Sequence, residues 1–366
     1  MSIVEIVLLV IFLAYVVQSL LFTYASSKNY PKLSDDELPT ATVIVAARNE
    51  EESIERCLRS LDALRYPEGK LEIVIADDQS DDRTNEIVSE FVKGKPRFTL
   101  LVAPDPRGNL RGKANAIDAA IERSTGEVIL TTDADCVVDP DWARSTAARY
   151  VDDGVGMVFG YTGQEATDMF SGMQHLDFVY LLAVAAGAIN LDGPVSCIGN
   201  NMSYRREAYR RVGGYAGLPF SVTEDFALLM AIHKTRDYRL VYPNDPGAYA
   251  VSLPCRSWSE LYRQKQRWAV GGLDSPWRGF LVMTAGFLAH AALFVAPFFF
   301  TPVVAGAVAA KFVADFFMLF VTLKKLRATS TLKYFLVFEI YFILYVLALP
   351  FVALFHRNVS WKARKF

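Results

Sequence analysis

Three stretches of the chain are nearly bare of charge, and the long interval between the first two is not. Residues 3–25 carry only Glu5, residues 279–323 only Lys311 and Asp315, and residues 334–355 only Glu339. A helix crosses a bilayer in about 20 apolar residues, so the first and last stretches are each one crossing long. The middle stretch is twice that, divided by the punctuation from Pro297 to Pro302 into residues 279–300 and 302–323. Residues 3–25 lack a leading Lys or Arg and a small-x-small cleavage site, so an uncleaved anchor is expected rather than a signal peptide. Lys28 and Lys32 follow this anchor and only Glu5 precedes it, which places the start outside and the following domain in the cytoplasm. Three further crossings put the 324–333 loop, with Lys324, Lys325, Arg327 and Lys333, inside as the charge rule wants. They also put Arg357, Lys362, Arg364 and Lys365 outside, against the rule; residues 279–300 lying in the interface, or re-entering, would relieve the conflict.

Between the apolar stretches, strand-like and helix-like patterns alternate. Ala41–Ala47, residues 71–76, Phe98–Val102 and residues 127–131 are short runs rich in β-branched residues. Residues 51–64 and 84–92 repeat apolar positions at three and four, the period of a helix. This order predicts an α/β domain with a mostly parallel sheet and helices on both faces. Ligands of such sheets bind beyond the carboxyl ends of the strands. Arg48-Asn49-Glu50, Asp77-Asp78 and Asp133-Ala134-Asp135 fall there, after the first, second and fourth runs. No GxGxxG follows the first strand and no GxxxxGK[ST] occurs, so dinucleotide-dehydrogenase and P-loop readings lose their support.

Composition adjusts this picture only at its edges. The 366 residues are 52% hydrophobic and 21% charged, with 38 Lys+Arg against 40 Asp+Glu and a net charge of -2; the mean hydropathy is +0.21. Disorder, collagen-like sequence and a wholly cytosolic globule are excluded. The near-neutral balance without a long basic run argues against nucleic acid as a partner. Cys57, Cys136, Cys197 and Cys255 are scattered, without zinc spacing, and read as free thiols.

Five clusters could do chemistry. Asp133-Ala134-Asp135 could offer oxygen ligands to a divalent cation bridging a diphosphate, or be an ordinary acidic turn. Asp77 and Asp78 could hydrogen-bond a nucleobase or ribose, while Ser80, Asp81 or Asp82, most naturally Asp82, caps the next helix. Gly112-Lys113-Ala114-Asn115-Ala116 opens a helix with a cation against its dipole, a placement that an anionic ligand would compensate. Thr223-Glu224-Asp225 precedes an apolar helix, with Thr223 as its structural N-cap. Gln264, Lys265, Arg267 and Trp268 share an amphipathic helix with Trp258, Leu261 and Tyr262, a stripe that reads as an interfacial helix with aromatic and basic anchors.

Taken in order, Val43–Glu50, Asp77-Asp78-Gln79-Ser80, Gly112–Ala116, Asp133-Ala134-Asp135, Thr223-Glu224-Asp225 and Gln264-x-x-Arg267-Trp268 resemble the membrane-embedded family 2 glycosyltransferases. That family includes cellulose, hyaluronan, chitin and poly-N-acetylglucosamine synthases and ceramide glucosyltransferases. The resemblance covers roughly residues 40–275, and residues 197–215 resemble its acceptor-side segment. It implies a GT-A fold, that is, a Rossmann-like nucleotide-diphospho-sugar transferase domain with flanking transmembrane helices. It further implies that Arg48, Glu50, Asp77 or Asp78, and Lys113 hold the nucleotide of a donor, a UDP-sugar by expectation. Asp133 and Asp135 would hold Mg²⁺ or Mn²⁺ with the diphosphate, Asp135 as the direct ligand. Asp225 would be the general base with Glu224 beside it, and Gln264, Arg267 and Trp268 would close over the diphosphate and the acceptor.

The expected organisation is an anchor (residues 1–27), a cytosolic catalytic domain (28–256), an amphipathic helix (257–278), C-terminal membrane helices (279–355) and a basic tail (356–366). The small membrane portion favours one sugar transferred to a lipid acceptor at the inner cell membrane over a polysaccharide synthase subunit acting processively. A scaffold that only binds nucleotide sugars is the non-enzymatic alternative, and detectable transfer or hydrolysis separates the two. Residues 178–189 are apolar but too short to cross, and are expected to form a core or interface helix. Lys311 and Asp315, one turn apart, are expected to pair. The sequons at Asn201 and Asn358, and the four histidines His175, His233, His290 and His356, suggest no chemistry.

Overall fold

Residues 1–28, 37–355, 360–361 and 364–365 are described in the structure, a computed structural model. Lys32, Arg357 and Lys362, which bear on the topology, the second sequon at Asn358, and His356 lie outside the described residues. Helix α1 (Ile3–Ser26) leads into β1 (Ala41–Ala47), α2 (Ile54–Asp62), β2 (Leu71–Asp77), α3 (Thr84–Phe91), β3 (Phe98–Val102), α4 (Gly112–Arg123) and β4 (Val128–Asp133). After β5 (Val137–Val138), α5 (Trp142–Ala147), β6 (Val155–Phe159) and β7 (Thr162–Gln164) comes the long α6 (Met169–Asn190). Next are β8 (Asn201–Arg205), α7 (Arg206–Arg211), α8 (Glu224–Thr235), β9 (Arg239–Val241), β10 (Ala250–Ser252) and α9 (Trp258–Gly272). Helices α10 (Trp277–Val295), α11 (Pro302–Lys325) and α12 (Phe335–Phe355) follow.

The main sheet has the order β3-β2-β1-β4-β8-β6-β9, and only β8 runs against its neighbours. Successive side chains of a strand point to opposite faces, and here both faces are buried. Ile44, Val74 and Ile129 join the core under α4, α6 and α8, while Val43, Val45, Ile73, Ile75 and Leu130 join the core under α2 and α5. That two-sided burial explains the unbroken apolar runs of β1, β2 and β4. A smaller sheet, β5-β10-β7, lies beyond the end of β4.

Several elements begin elsewhere than the sequence suggests. The helix expected over 51–64 starts at Ile54, because residues 51–53 are a turn interlocked with the loop after β2. Asp82 does accept the Thr84 amide at 2.9 Å, although Arg83 takes the formal cap position. Thr223 sits at the N-cap of α8 without a side-chain cap bond; its hydroxyl is within 3.2 Å of Ser221 instead. Helix α6 is far longer than residues 178–189, since Asp168 caps it by accepting the Ser171 amide at 2.8 Å. It is buried along most of its length between the sheet and the apolar helices.

Helices α1, α6, α10, α11 and α12 are each long and apolar enough to cross a membrane. Residues 279–300, for which the charge conflict leaves open a crossing, an interfacial or a re-entrant placement, belong to a helix that ends in a short 3₁₀ turn at Ala296–Phe299. Helix α1 is fastened to the sheet domain: Asn190 at the end of α6 donates to the Ala25 carbonyl at 3.0 Å and to the Tyr242 carbonyl at 2.9 Å. Gly187 lets α6 cross α1 closely, because a Cβ there would lie 2.6 Å from the Phe22 Cα. The expected Lys311–Asp315 pair forms at 2.9 Å and gains a third member, Glu339 of α12, at 2.6 Å from Lys311. Tyr15 of α1 and Tyr180 of α6 each donate to Asp315 Oδ1 at 2.8 Å.

Candidate active site

The turns after β1 and β2 interlock at the carboxyl edge of the sheet. Asn49 and Gln79 both take positive φ, 52° and 56°, which bends each chain sharply out of its strand. Asn49 donates its amide to Ser80 Oγ at 3.1 Å and accepts the Asp81 amide at 2.9 Å. The Arg48 guanidinium donates to the carbonyls of Asp78 and Gln79 at 2.5 and 3.1 Å. Glu50 donates its amide to Thr84 Oγ1 at 2.7 Å, and its carboxylate accepts from Ser53 Oγ at 2.8 Å. Asp77 spends both carboxylate oxygens on its own turn, accepting from Ser80 and from Asn85 Nδ2 at 2.8 Å. Of the two neighbouring aspartates, Asp77 therefore holds the turn, and Asp78 is buried beside it.

Gly112 and Asn115 account for the spacing around Lys113. Gly112 has φ +51°, a conformation glycine adopts freely, and it swings the chain into α4. Asn115 is buried and donates to the Pro104 carbonyl at 2.7 Å, tying down the loop above the site. Lys113 then reaches the last residue of β4, with its Nζ 2.5 Å from Asp133 Oδ1 and 3.9 Å from Glu224 Oε1. Burial alone would lower the lysine's pKa, but the Asp133 and Glu224 carboxylates outweigh it and hold the ammonium well above its ordinary range. The compensation that an N-terminal lysine demands thus comes from two side chains 20 and 111 positions away.

Glu224 and Asp225 form the first turn of α8, where the helix dipole favours negative charge. Burial nevertheless pushes both carboxyls up, with Lys113 and then Arg267 pulling them back. Asp225 Oδ1 accepts the Phe226 amide at 2.8 Å. Gly199 passes close on the other side: a Cβ there would sit 3.1 Å from Asp225 Oδ2. Thr131 of β4 holds the Gly199 carbonyl at 3.1 Å, a role the sequence does not announce.

Helix α9 brings the late motif over this cluster. Gly271 permits the approach, since a Cβ there would lie 2.4 Å from Thr223 Cγ2. Gln264, Arg267 and Trp268 are half-buried, and the Trp268 ring stacks on Phe178 of α6 with centroids 5.5 Å apart. Lys265 is no interfacial anchor, contrary to the expectation from the stripe. It is buried against Asp177 of α6, where a side chain aimed inward finds no headgroup to meet. The signal that could have found this pair was a lone aspartate inside an otherwise apolar helix.

The structure thus gathers Lys113, Asp133, Glu224, Asp225 and Arg267 in one cluster, and sets Arg48, Glu50, Asp77 and Asp78 on the adjoining turns. Asp135 lies one residue past Ala134 on the β4 turn, half-buried, with its Oδ1 3.4 Å from Cys136 Sγ. Asn201, the first sequon residue, is wholly internal: its amide bonds the Tyr161 and Ala248 carbonyls and accepts the Trp142 indole.

Residues 42–213 match the family described as Glycosyl transferase family 2, and residues 128–355 match Glycosyl transferase family group 2. The Bacillus subtilis (strain 168) protein named "Probable glycosyltransferase YdaM" is 28% identical over 256 residues, 67% of this chain and 58% of that one. The poly-beta-1,6-N-acetyl-D-glucosamine synthase of Staphylococcus aureus (strain COL) is 29% identical over 274 residues, 73% of this chain and 64% of that one. The chain spans less than two thirds of the length of these two curated relatives. Among solved structures, the mannosyltransferase PcManGT from Pyrobaculum calidifontis, in complex with GDP-Man and Mn²⁺, superposes with a TM-score of 0.60. It is 22% identical and the match covers 97% of this chain and 100% of that one, a likeness of fold.

Proposed function

The chain belongs to glycosyl transferase family 2 and has the GT-A fold, and we propose that it transfers a sugar from a nucleotide-diphosphate donor, a UDP-sugar, to a membrane lipid with inversion. The observation that carries this reading is the convergence of Lys113, Asp133, Glu224, Asp225 and Arg267 from α4, β4, α8 and α9. Two cations and three carboxylates meeting at the end of a parallel sheet suit a diphosphate leaving group and a hydroxyl nucleophile. Arg48, Glu50 and Asp78, on the turns that Asp77 holds, would line the nucleoside. Lys113 and Arg267 would bind the diphosphate.

Asp133 and Asp135 fit a divalent cation of the Mg²⁺ or Mn²⁺ kind, because they offer two hard oxygen donors on one turn. Among the described residues no group of three or more His, Cys, Asp or Glu side chains could hold a metal. An ion here would therefore complete its coordination with diphosphate oxygens and water, as Mg²⁺ commonly does. When bound, it supplies charge neutralisation to the leaving diphosphate. In the transfer itself the acceptor hydroxyl attacks the anomeric carbon from the face opposite the diphosphate. Asp225 takes the hydroxyl proton, the carbon–oxygen bond to phosphate breaks, and its electron pair leaves with the diphosphate. Glu224, beside the base, keeps Lys113 oriented, and Gln264 and Trp268 would close over the acceptor.

The lipid acceptor rests on the apolar helices and on Trp258 and Trp277, 63% and 68% exposed at the starts of α9 and α10. Aromatic side chains of this kind favour the headgroup level of a bilayer. The same reading puts the sheet domain on the cytoplasmic side of the cell membrane. A second reading, processive synthesis of a polysaccharide, is favoured by the likeness to the Staphylococcus aureus synthase. A screen of nucleotide sugars on the purified protein in native lipid, with Mn²⁺, Mg²⁺ or chelator, tests both. One discrete glycolipid by mass spectrometry is the expected product. A ladder of polymer would establish the second reading, full activity in excess chelator would remove the metal, and no turnover of any nucleotide sugar would leave only a binding role.

A further inference from the structure

One face of α6 runs along α9 like a clasp. Phe170 meets Trp258 edge-on at 4.8 Å, Gln174 exchanges hydrogen bonds with the Cys255 backbone at 2.9 and 3.2 Å, and Phe178 stacks on Trp268. At the centre is the ion pair of Asp177 with Lys265, whose side chains are only 1% and 7% exposed. The Lys265 ammonium lies 4.1 Å from the centroid of the Trp268 ring and 4.7 Å from that of Tyr345 on α12. Taking two charges out of water costs more than a well-packed apolar pair would, so stability does not explain why they are there. Their geometry does: the cation draws one membrane helix and the motif tryptophan to a single point.

We propose that Lys265 and Asp177 are positioning residues that fix Trp268, and with it Arg267, over the acceptor side of the site. The inference rests on the glycosyl-transfer reading, in that Arg267 and Trp268 are taken to act on donor and acceptor. Asp177 anchors the ammonium from α6, Tyr345 anchors it from α12, and Trp268 thereby contacts both the cation and the Phe178 ring. Neither Lys265 nor Asp177 needs to touch a substrate.

The Lys265→Met change alone would strand Asp177 in the interior, so the informative protein is the full-length double variant Lys265→Met/Asp177→Leu, which replaces the pair by apolar side chains of similar bulk. Its thermal unfolding in detergent should match that of the parent. Its kcat for transfer should fall about 10²-fold, the scale of a small misplacement of reacting groups, while KM for the nucleotide sugar stays unchanged. Hydrogen exchange read across the α9 peptide should quicken in the double variant while the sheet peptides keep their protection. Parental kcat, or parental exchange across α9, overturns the proposal; so does a uniform rise in exchange, which would mean general loosening. Should the parent protein itself transfer no sugar, the functional reading fails, and the exchange measurement still decides whether the pair positions α9.

Discussion

Lys113 and Lys311 are each gripped by two carboxylates, at 2.5 and 3.9 Å in one case and at 2.9 and 2.6 Å in the other. The first cluster opens on the edge of the sheet, where the side chains of Lys113 and Asp133 are 16% and 35% exposed. The second is sealed among apolar helices, with Lys311 and Asp315 at 0%. Partners differ accordingly. Asp315 Oδ1 accepts from two buried tyrosine hydroxyls, whereas Asp133 and Glu224 around Lys113 keep part of their side chains open to solvent. The same set of charges is open to a ligand when one side is exposed and acts as a staple when none is; on the proposed function the first is the site.

The contrast breaks most visibly at Asp225. Asp225→Asn should lower kcat by about 10²–10⁴-fold, the usual contribution of a general base, with nucleotide binding by calorimetry intact; a near-parental rate would unseat the base assignment. Lys311→Met should act in the opposite sense, leaving per-molecule activity alone but costing about 3–5 kcal/mol of stability in thermal or denaturant unfolding, because two buried carboxylates lose their cation. If that variant is as stable as the parent, the sealed cluster is no staple. Lys113→Met should lower transfer about 10²–10³-fold, as loss of a preorganised charge-stabilising donor does, with little change in the unfolding midpoint.

A smaller effect follows from the carboxyl that burial has pushed up. If Asp225 is the base, as proposed, it acts only when ionised, so kcat/KM should fall about tenfold per unit as pH drops through its raised pKa. That limb should stand above the ordinary carboxylate range, and Lys113→Met, which removes a charge that lowers the pKa, should move it higher still. A pH profile with its acid limb at ordinary carboxylate values in both proteins would contradict the burial argument. Smallest of all, Tyr15→Phe removes one of the two hydroxyl donors to Asp315 Oδ1 and should cost about 1 kcal/mol in the same unfolding assay.

The parallel half of the sheet is legible from sequence because each of β1, β2 and β4 is buried on both faces and so reads as an uninterrupted β-branched run. The other half is not. Strands β5, β7, β9 and β10 span two or three residues, too few for any period to show. Strand β8, Asn-Met-Ser-Tyr-Arg, is buried throughout although it is largely polar. Its Ser203 and Arg205 satisfy the carbonyls of Val158 and Tyr150, which no pattern of neighbours reveals. The site divides in the same way. Carboxylates at strand ends stand out because topology alone brings strand ends together. Which oxygen is spent on a turn, as at Asp77, and which lysine lies buried, as at Lys265, depends on partners 8 to 88 residues off.

The Tyr15 hydroxyl adds a problem of timing. Its partners Tyr180 and Asp315 follow it by 165 and 300 residues. At a synthesis rate of about 5–20 residues per second, the wait for Asp315 is about 15–60 s. During that interval the phenol of the first helix is without its final acceptor. This contact is therefore closed late, by the arrival of α11, and a translational pause or an early release before residue 315 would leave α1 without it, held to α6 through Tyr180 and Asn190.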